Sequence, residues 1–61
     1  MATYSKVRAW QIGNHARVAG SSKTGVIDDV AIIDGTVKYH VVSDTSEVWD
    51  EWFDGWAIEH A

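Results

Sequence analysis

The dipeptide Asp34-Gly35 lies between two runs of residues that favour β-strands. A two-residue type I′ turn needs a positive φ at both central positions, and Asp-Gly adopts such angles at little steric cost. The flanking runs, residues 25–33 and 36–42, are rich in β-branched side chains. The sequence therefore predicts a β-hairpin, which constrains the fold more than any other feature of the chain.

A two-residue turn also sets the register of the hairpin. It predicts three cross-strand pairs: Ile33 with Thr36, Ile32 with Val37, and Val30 with Tyr39. The adjacent acids Asp28 and Asp29 indicate a bulge or bend in the first strand. The same register places Asp29 opposite His40, which we interpret as a cross-strand pair rather than an acid/base dyad.

Upstream of the hairpin, Gly13-Asn14 precedes a short predicted strand at 15–19, and a Gly/Ser loop at 20–25 leads into the hairpin. This loop lacks Walker spacing, so a connection between strands is favoured over a phosphate site. Residues 4–12 alternate weakly and suit an edge strand or an ordered arm. The predicted organisation is an N-terminal arm or edge strand at 1–12, followed by one barrel domain at 13–61.

Four of the seven aromatic residues lie between Glu47 and Trp56. Burial of one tryptophan contributes about 4–6 kcal/mol, so this segment is either core or a binding surface. Its aromatic spacing also fits a helix, but Gly55 would interrupt a helix after two turns. We favour a strand across 47–53, a tight turn through Asp54-Gly55 and a last short strand at 57–59.

Size and charge limit the function classes. A chain of 61 residues without cysteine has no disulfide and no Cys cluster for zinc, and it carries more large aromatic side chains than a core of this size readily encloses, so we expect it to form a homo-oligomer. Residues 1–38 contain all five Lys and Arg with three acids, whereas residues 39–61 contain six acids and no Lys or Arg. This balance argues against nonspecific nucleic-acid binding. We expect a cytoplasmic protein with no membrane segment.

Several segments resemble the SH3-like small-barrel group. Within that group, they are most similar to the type II (plasmid-type) dihydrofolate reductases. The similar segments are Gly13…Arg17-Val18, Gly25-Val26-Ile27, Tyr39-His40-Val41-Val42-Ser43-Asp44 and Ala57-Ile58-Glu59. The resemblance covers roughly residues 13–60. It implies an all-β, SH3-like small barrel of four or five short antiparallel strands.

The resemblance fails at the pore of those reductases. Their pore lies on the axis of a homotetramer and is lined by a Val-Gln-Ile-Tyr strand, whereas the corresponding stretch here is Val48-Trp49-Asp50-Glu51 or its near neighbours. Acidic side chains would repel the phosphates of NADPH and the glutamate tail of dihydrofolate. The fold is therefore carried over and the reductase activity is not.

We expect a non-catalytic binding module that needs no cofactor or metal and recognises a protein, a peptide or a second copy of itself. Aromatic faces and carboxylates together suit a cationic partner. The candidate binding residues are Tyr39, Trp49, Asp50, Glu51, Trp52, Phe53, Asp54 and Trp56.

Two alternatives have other sequence requirements. A reductase-like enzyme would need a pore at an oligomer axis. A KOW-like RNA-binding domain would use Arg17, Lys23 and Lys38 with exposed aromatics. The three histidines, His15, His40 and His60, are too dispersed for a metal motif, and no serine lies in a nucleophile elbow.

Overall fold

The computed structural model describes residues 10–61 and shows an all-β protein. Five strands form one antiparallel sheet in the order β4-β3-β2-β1-β5. The strands are β1 (His15–Val18), β2 (Thr24–Ile33), β3 (Thr36–Ser43), β4 (Asp50–Asp54) and β5 (Ile58–His60). One 3₁₀ turn, Gly55–Ala57, connects β4 to β5. The predicted all-β small-barrel class is confirmed.

The β2–β3 hairpin has the predicted turn and register. Asp34 and Gly35 both have positive φ, at 54° and 77°, as a type I′ turn requires. The pairs are Ile33 with Thr36, Ile32 with Val37, Val30 with Tyr39 and Asp29 with His40. The register shifts between Ile27 and Asp29, so the predicted bulge lies at Asp28.

The core lies on one face of the sheet. Its buried side chains come from four strands and from the segment before β1: Trp10, Ala16, Ile27, Tyr39, Val41 and Ile58. Tyr39 and Val41 point inward from β3, and His40 between them points outward, as the two-residue period of a strand requires. Trp49 and Phe53 pack against this core and are partly buried.

The predicted strand at 47–53 begins later than expected, at Asp50. Residues 44–49 form a loop that Ser43 closes: its N–H donates to the carbonyl of Trp49 at 2.9 Å, and its hydroxyl donates to the carbonyl of Glu47. Such local bonds compete with a strand ladder. The helical alternative for this segment is wrong, because β4 pairs with β3 along its whole length.

The connection after β4 is a 3₁₀ turn at Gly55–Ala57 rather than the predicted tight turn through Asp54-Gly55, because Asp54 still belongs to β4. The last strand runs from Ile58 to His60 instead of 57–59. β5 pairs with β1, so that Arg17 lies opposite Glu59 and Val18 opposite Ile58. Of the predicted arm or edge strand at 4–12, residues 4–9 lie outside the described residues. Residues 10–12 are not in a strand.

Candidate functional site: an aromatic groove

An open groove with a volume of about 630 Å³ lies between the tip of the β2–β3 hairpin, the 3₁₀ turn and β5. We call it the aromatic groove. Three of its walls are the rings of Trp10, Tyr39 and Trp56. The other lining residues are Thr36, Val37, Gly55, Glu59 and His60. It is mostly apolar, with few polar groups, as binding sites for side chains and small molecules commonly are.

Trp10 forms the fixed inner wall of the groove. Its indole N–H donates to the carbonyl of Gly55 at 3.2 Å, and its ring lies 4.5 Å from the ring of His60 between centroids. Gly55 leaves room for the neighbouring Tyr39 ring, because a Cβ at this position would lie 3.3 Å from Cε2 of Tyr39. These contacts hold Trp10, Tyr39 and Gly55 in one packed unit.

Trp56 forms the outer wall and has a different environment. It lies in the 3₁₀ turn with 82% of its surface exposed, which makes it the most exposed aromatic side chain among residues 10–61. An exposed indole beside a preformed apolar groove is typical of residues that anchor a protein contact, because its burial brings much apolar area at little conformational cost.

The charge of the groove comes from Glu59 at its rim. Arg17 binds Glu59 through Nε at 2.9 Å and Nη2 at 2.6 Å, and both nitrogens contact Oε2. No Lys or Arg is among the lining residues of the groove. The groove therefore combines aromatic faces with an acid that is already paired with Arg17, and its own lining includes no Lys or Arg.

Trp52 points away from the groove, on the outer face of the sheet. It lies opposite His40 on β3, with ring centroids 4.9 Å apart. The His40 ring also places Nδ1 at 2.6 Å from Asp28 and Nε2 at 3.9 Å from Asp50. Since Tyr39 and His40 are consecutive in a strand, Trp52 and the groove lie on opposite faces.

Trp49 and Phe53 close the core beside β3. Their rings meet edge to face with centroids 6.4 Å apart, and Phe53 lies opposite Tyr39. The Lys23 ammonium lies 5.9 Å from the centre of the Trp49 ring, a weak cation–π distance. These two aromatics stabilise the barrel and contribute no wall to the groove.

The acidic residues of β4 also lie in different environments. Asp54 pairs with Lys38 at 3.3 Å, Asp50 lies near His40, and Glu51 is exposed. Of the eight candidate binding residues, the groove brings together Tyr39 and Trp56. The other six lie in the core wall or on the outer face and edge of β4.

Sequence reasoning missed six of the eight lining residues of the groove: Trp10, Thr36, Val37, Gly55, Glu59 and His60. Trp10 precedes Gly55 by 45 positions, and its hydrogen bond to that residue has no local sequence signal. The exposure of Val37 was detectable in part, because the predicted register pairs it with Ile32 near the hairpin tip. Glu59 and His60 reach the groove because β5 pairs with β1, a contact between the two ends of the described chain.

The basic residues named for RNA binding do not form one patch. Arg17 pairs with Glu59, Lys38 with Asp54, and Lys23 lies over Trp49. Within residues 10–61, no group of three or more His, Cys, Asp or Glu side chains could hold a metal ion. In the same part of the chain, no helix has the length and apolar character needed to cross a membrane.

The chain matches none of the protein-family models, curated proteins or solved structures with which it was compared. The geometry of residues 10–61 is therefore the basis of the functional proposal.

Proposed function

We propose that this protein is a non-catalytic binding module that recognises a protein partner by taking one of its side chains into the aromatic groove. The observation that carries the proposal is the exposed indole of Trp56 beside a preformed groove of about 630 Å³. Burial of an exposed aromatic side chain such as Trp56 against a partner supplies much of the affinity of small interfaces.

The groove suits an apolar or cationic side chain. The faces of Trp10, Tyr39 and Trp56 attract cations as well as apolar groups, whereas the negative charge of Glu59 at the rim is already paired with Arg17. An anionic ligand would find no Lys or Arg among the lining residues. A lysine- or arginine-bearing peptide is therefore the preferred partner.

Recognition is favoured over the reductase-like and RNA-binding alternatives for structural reasons. β4 carries Asp50 and Glu51, which would repel the phosphates of a nucleotide cofactor. The cations needed for RNA are paired with acids or lie over Trp49, so they offer no continuous track for a phosphate backbone.

The first test is selection of a displayed random peptide library on the wild-type protein, followed by affinity measurements with labelled peptides. Trp56→Ala should weaken binding of the selected peptides about tenfold or more, the usual cost of removing an anchor residue. Trp52→Ala is the matched control, because it removes an indole from the opposite face, and it should change affinity less than about threefold.

Two results contradict the proposal: failure of the library to yield any peptide, or equal loss of affinity in both variants. Self-association is the competing use of the groove, since Trp56 is exposed in a single chain. Sedimentation of the wild type without peptide distinguishes the two. A stable oligomer that Trp56→Ala dissociates would assign the groove to a second copy.

A further inference from the structure

Within residues 10–61, the outer edge of β2 is paired only along its first part. β1 pairs with β2 only from Thr24 to Val26, and Gly13 and Asn14 then bond to Ile27. Among residues 10–61, no strand pairs with the same edge from Val30 to Ile33. We call this segment the β2 edge. An unpaired edge presents backbone donors and acceptors to another extended chain.

The hairpin geometry shows which backbone groups are available. Ile33 and Thr36 flank a two-residue turn and so form a hydrogen-bonded pair, which makes Ile32 and Val37 a non-hydrogen-bonded pair. The N–H and C=O of Ile32 therefore point outward. Val30 has the same orientation, and its N–H already donates to Oδ1 of Asp29 at 2.8 Å.

The side chains of the β2 edge are apolar on both faces of the sheet. Its sequence is Val30-Ala31-Ile32-Ile33, and Ile32 is 73% exposed, with Val30 at 38% and Ile33 at 36%. Exposed edges in natural sheets are commonly protected by lysine, proline or inward-pointing charges. The four residues of the β2 edge include none of these.

Acids flank the β2 edge at both ends. Asp28 and Asp29 precede it at the bulge, and Asp34 follows it in the turn. The nearest cation across the hairpin is Lys38, opposite Ala31, and it is paired with Asp54. The complement of such an edge is a short apolar strand with basic residues at its ends.

The geometry points to the β2 edge as a strand-addition site for an extended apolar segment of another protein that is flanked by Lys or Arg. Backbone hydrogen bonds to Ile32 would supply affinity, and the flanking acids would supply selectivity. The β2 edge adjoins the aromatic groove, because Ile32 lies opposite the groove residue Val37, but none of its four residues lines the groove, and either site can fail without the other.

Charge also argues against a second copy as the occupant. In an antiparallel pair of two β2 edges, Asp34 of each chain would lie beside the Asp28–Asp29 end of the other. Like charges in such positions destabilise a sheet pair. A basic-flanked strand would instead place a cation at each of these ends.

The test uses a short synthetic peptide of alternating valine and threonine with paired lysines at each end, and the same peptide with glutamates in place of the lysines. At low salt, the lysine peptide should bind at least about tenfold more tightly. In amide NMR spectra of the wild type, its binding should shift the Ile32 N–H and slow its exchange with solvent.

Variants locate the site. Ile32→Lys places a gatekeeping charge at an exposed position and should weaken binding about tenfold. Ile32→Pro removes the outward N–H and should have an effect at least as large. The control Val48→Lys alters a side chain that is 94% exposed in the loop before β4 and should bind like the wild type, as should Trp56→Ala.

Three outcomes overturn the inference. Equal affinity for the two peptides removes the role of the acids, and amide shifts confined to the aromatic groove place the peptide elsewhere. A peptide-independent dimer that Ile32→Lys dissociates would assign the β2 edge to a second copy. Ile32→Lys keeps the test valid if Ile32→Pro does not fold.

Discussion

Gly25 lies where two strands of the barrel leave no room for a side chain. It pairs with Ala16 on one side and with Ser43 on the other. A Cβ at this position would overlap the carbonyl oxygen of Val42 and lie 2.7 Å from Cγ1 of Val41. The requirement for glycine here is therefore one of space, since its φ is not in the left-handed region. Gly35 is needed for the opposite reason, because it has a positive φ and free space around it.

These two glycines give a paired prediction at the residue scale. Gly25→Ala should lower the free energy of unfolding by about 2–3 kcal/mol, because backbone or core atoms of β3 must move. Gly35→Ala should cost about 1 kcal/mol, the strain of an alanine in the left-handed region. Urea unfolding followed by tryptophan fluorescence measures both. A larger loss for Gly35→Ala would contradict the packing explanation.

At the element scale, the contact between β1 and β5 brings the end of the chain onto the sheet. It is a short pairing of three residues in each strand, and the Arg17–Glu59 ion pair lies across it. Both side chains are nearly half exposed, so solvent screens their attraction. The pair therefore aligns the two strands and contributes little to stability, whereas burial of Ile58 and Ala16 holds them together.

A double-mutant cycle with Arg17→Ala and Glu59→Ala tests whether the ion pair contributes less to stability than burial does. The coupling free energy should be roughly 0.2–1 kcal/mol at low salt and should decrease as salt is added. By comparison, Ile58→Ala alone should cost about 2–5 kcal/mol at any salt concentration. A coupling that exceeds the cost of Ile58→Ala would show that the ion pair, and not burial, joins the strands.

At the scale of the whole molecule, Trp10 connects distant parts of the chain. It is buried in the core, bonds to Gly55 and packs on His60, so it joins the segment before β1 to the 3₁₀ turn and to β5. The same ring is a wall of the aromatic groove. Stability and the proposed binding site therefore depend on one side chain.

Trp10→Ala should unfold most of the protein at 25 °C. Removal of a buried tryptophan costs about 3–5 kcal/mol, which is comparable to the stability that one small core supplies in a domain of this size. Trp10→Phe keeps an aromatic ring, loses the hydrogen bond and should remain folded. Circular dichroism during heating measures both, with Trp56→Ala as a control that should melt close to the wild type. A cooperative, near-native melt for Trp10→Ala would refute the linking role.

The hairpin shows how much of this protein follows from local chemistry. Its turn, its register and its bulge depend on residues close in the chain, because Asp34-Gly35 selects the turn type and the turn sets the pairs on both sides. The all-β class follows from the same β-branched runs. These features need no knowledge of distant contacts, so the sequence alone predicts them.

The tryptophan segment shows where local chemistry is insufficient. Its composition marks it as important, but only the tertiary structure directs Phe53 to the core, Trp52 to the outer face and Trp56 to the groove. The start of β4 and the turn after it decide these directions, because a shift of one residue in a strand reverses the face of every side chain. The sequence by itself determined a β-hairpin in a small all-β domain. The tertiary structure decided which aromatics meet, because that depends on contacts such as Trp10 with Gly55, between residues 45 positions apart.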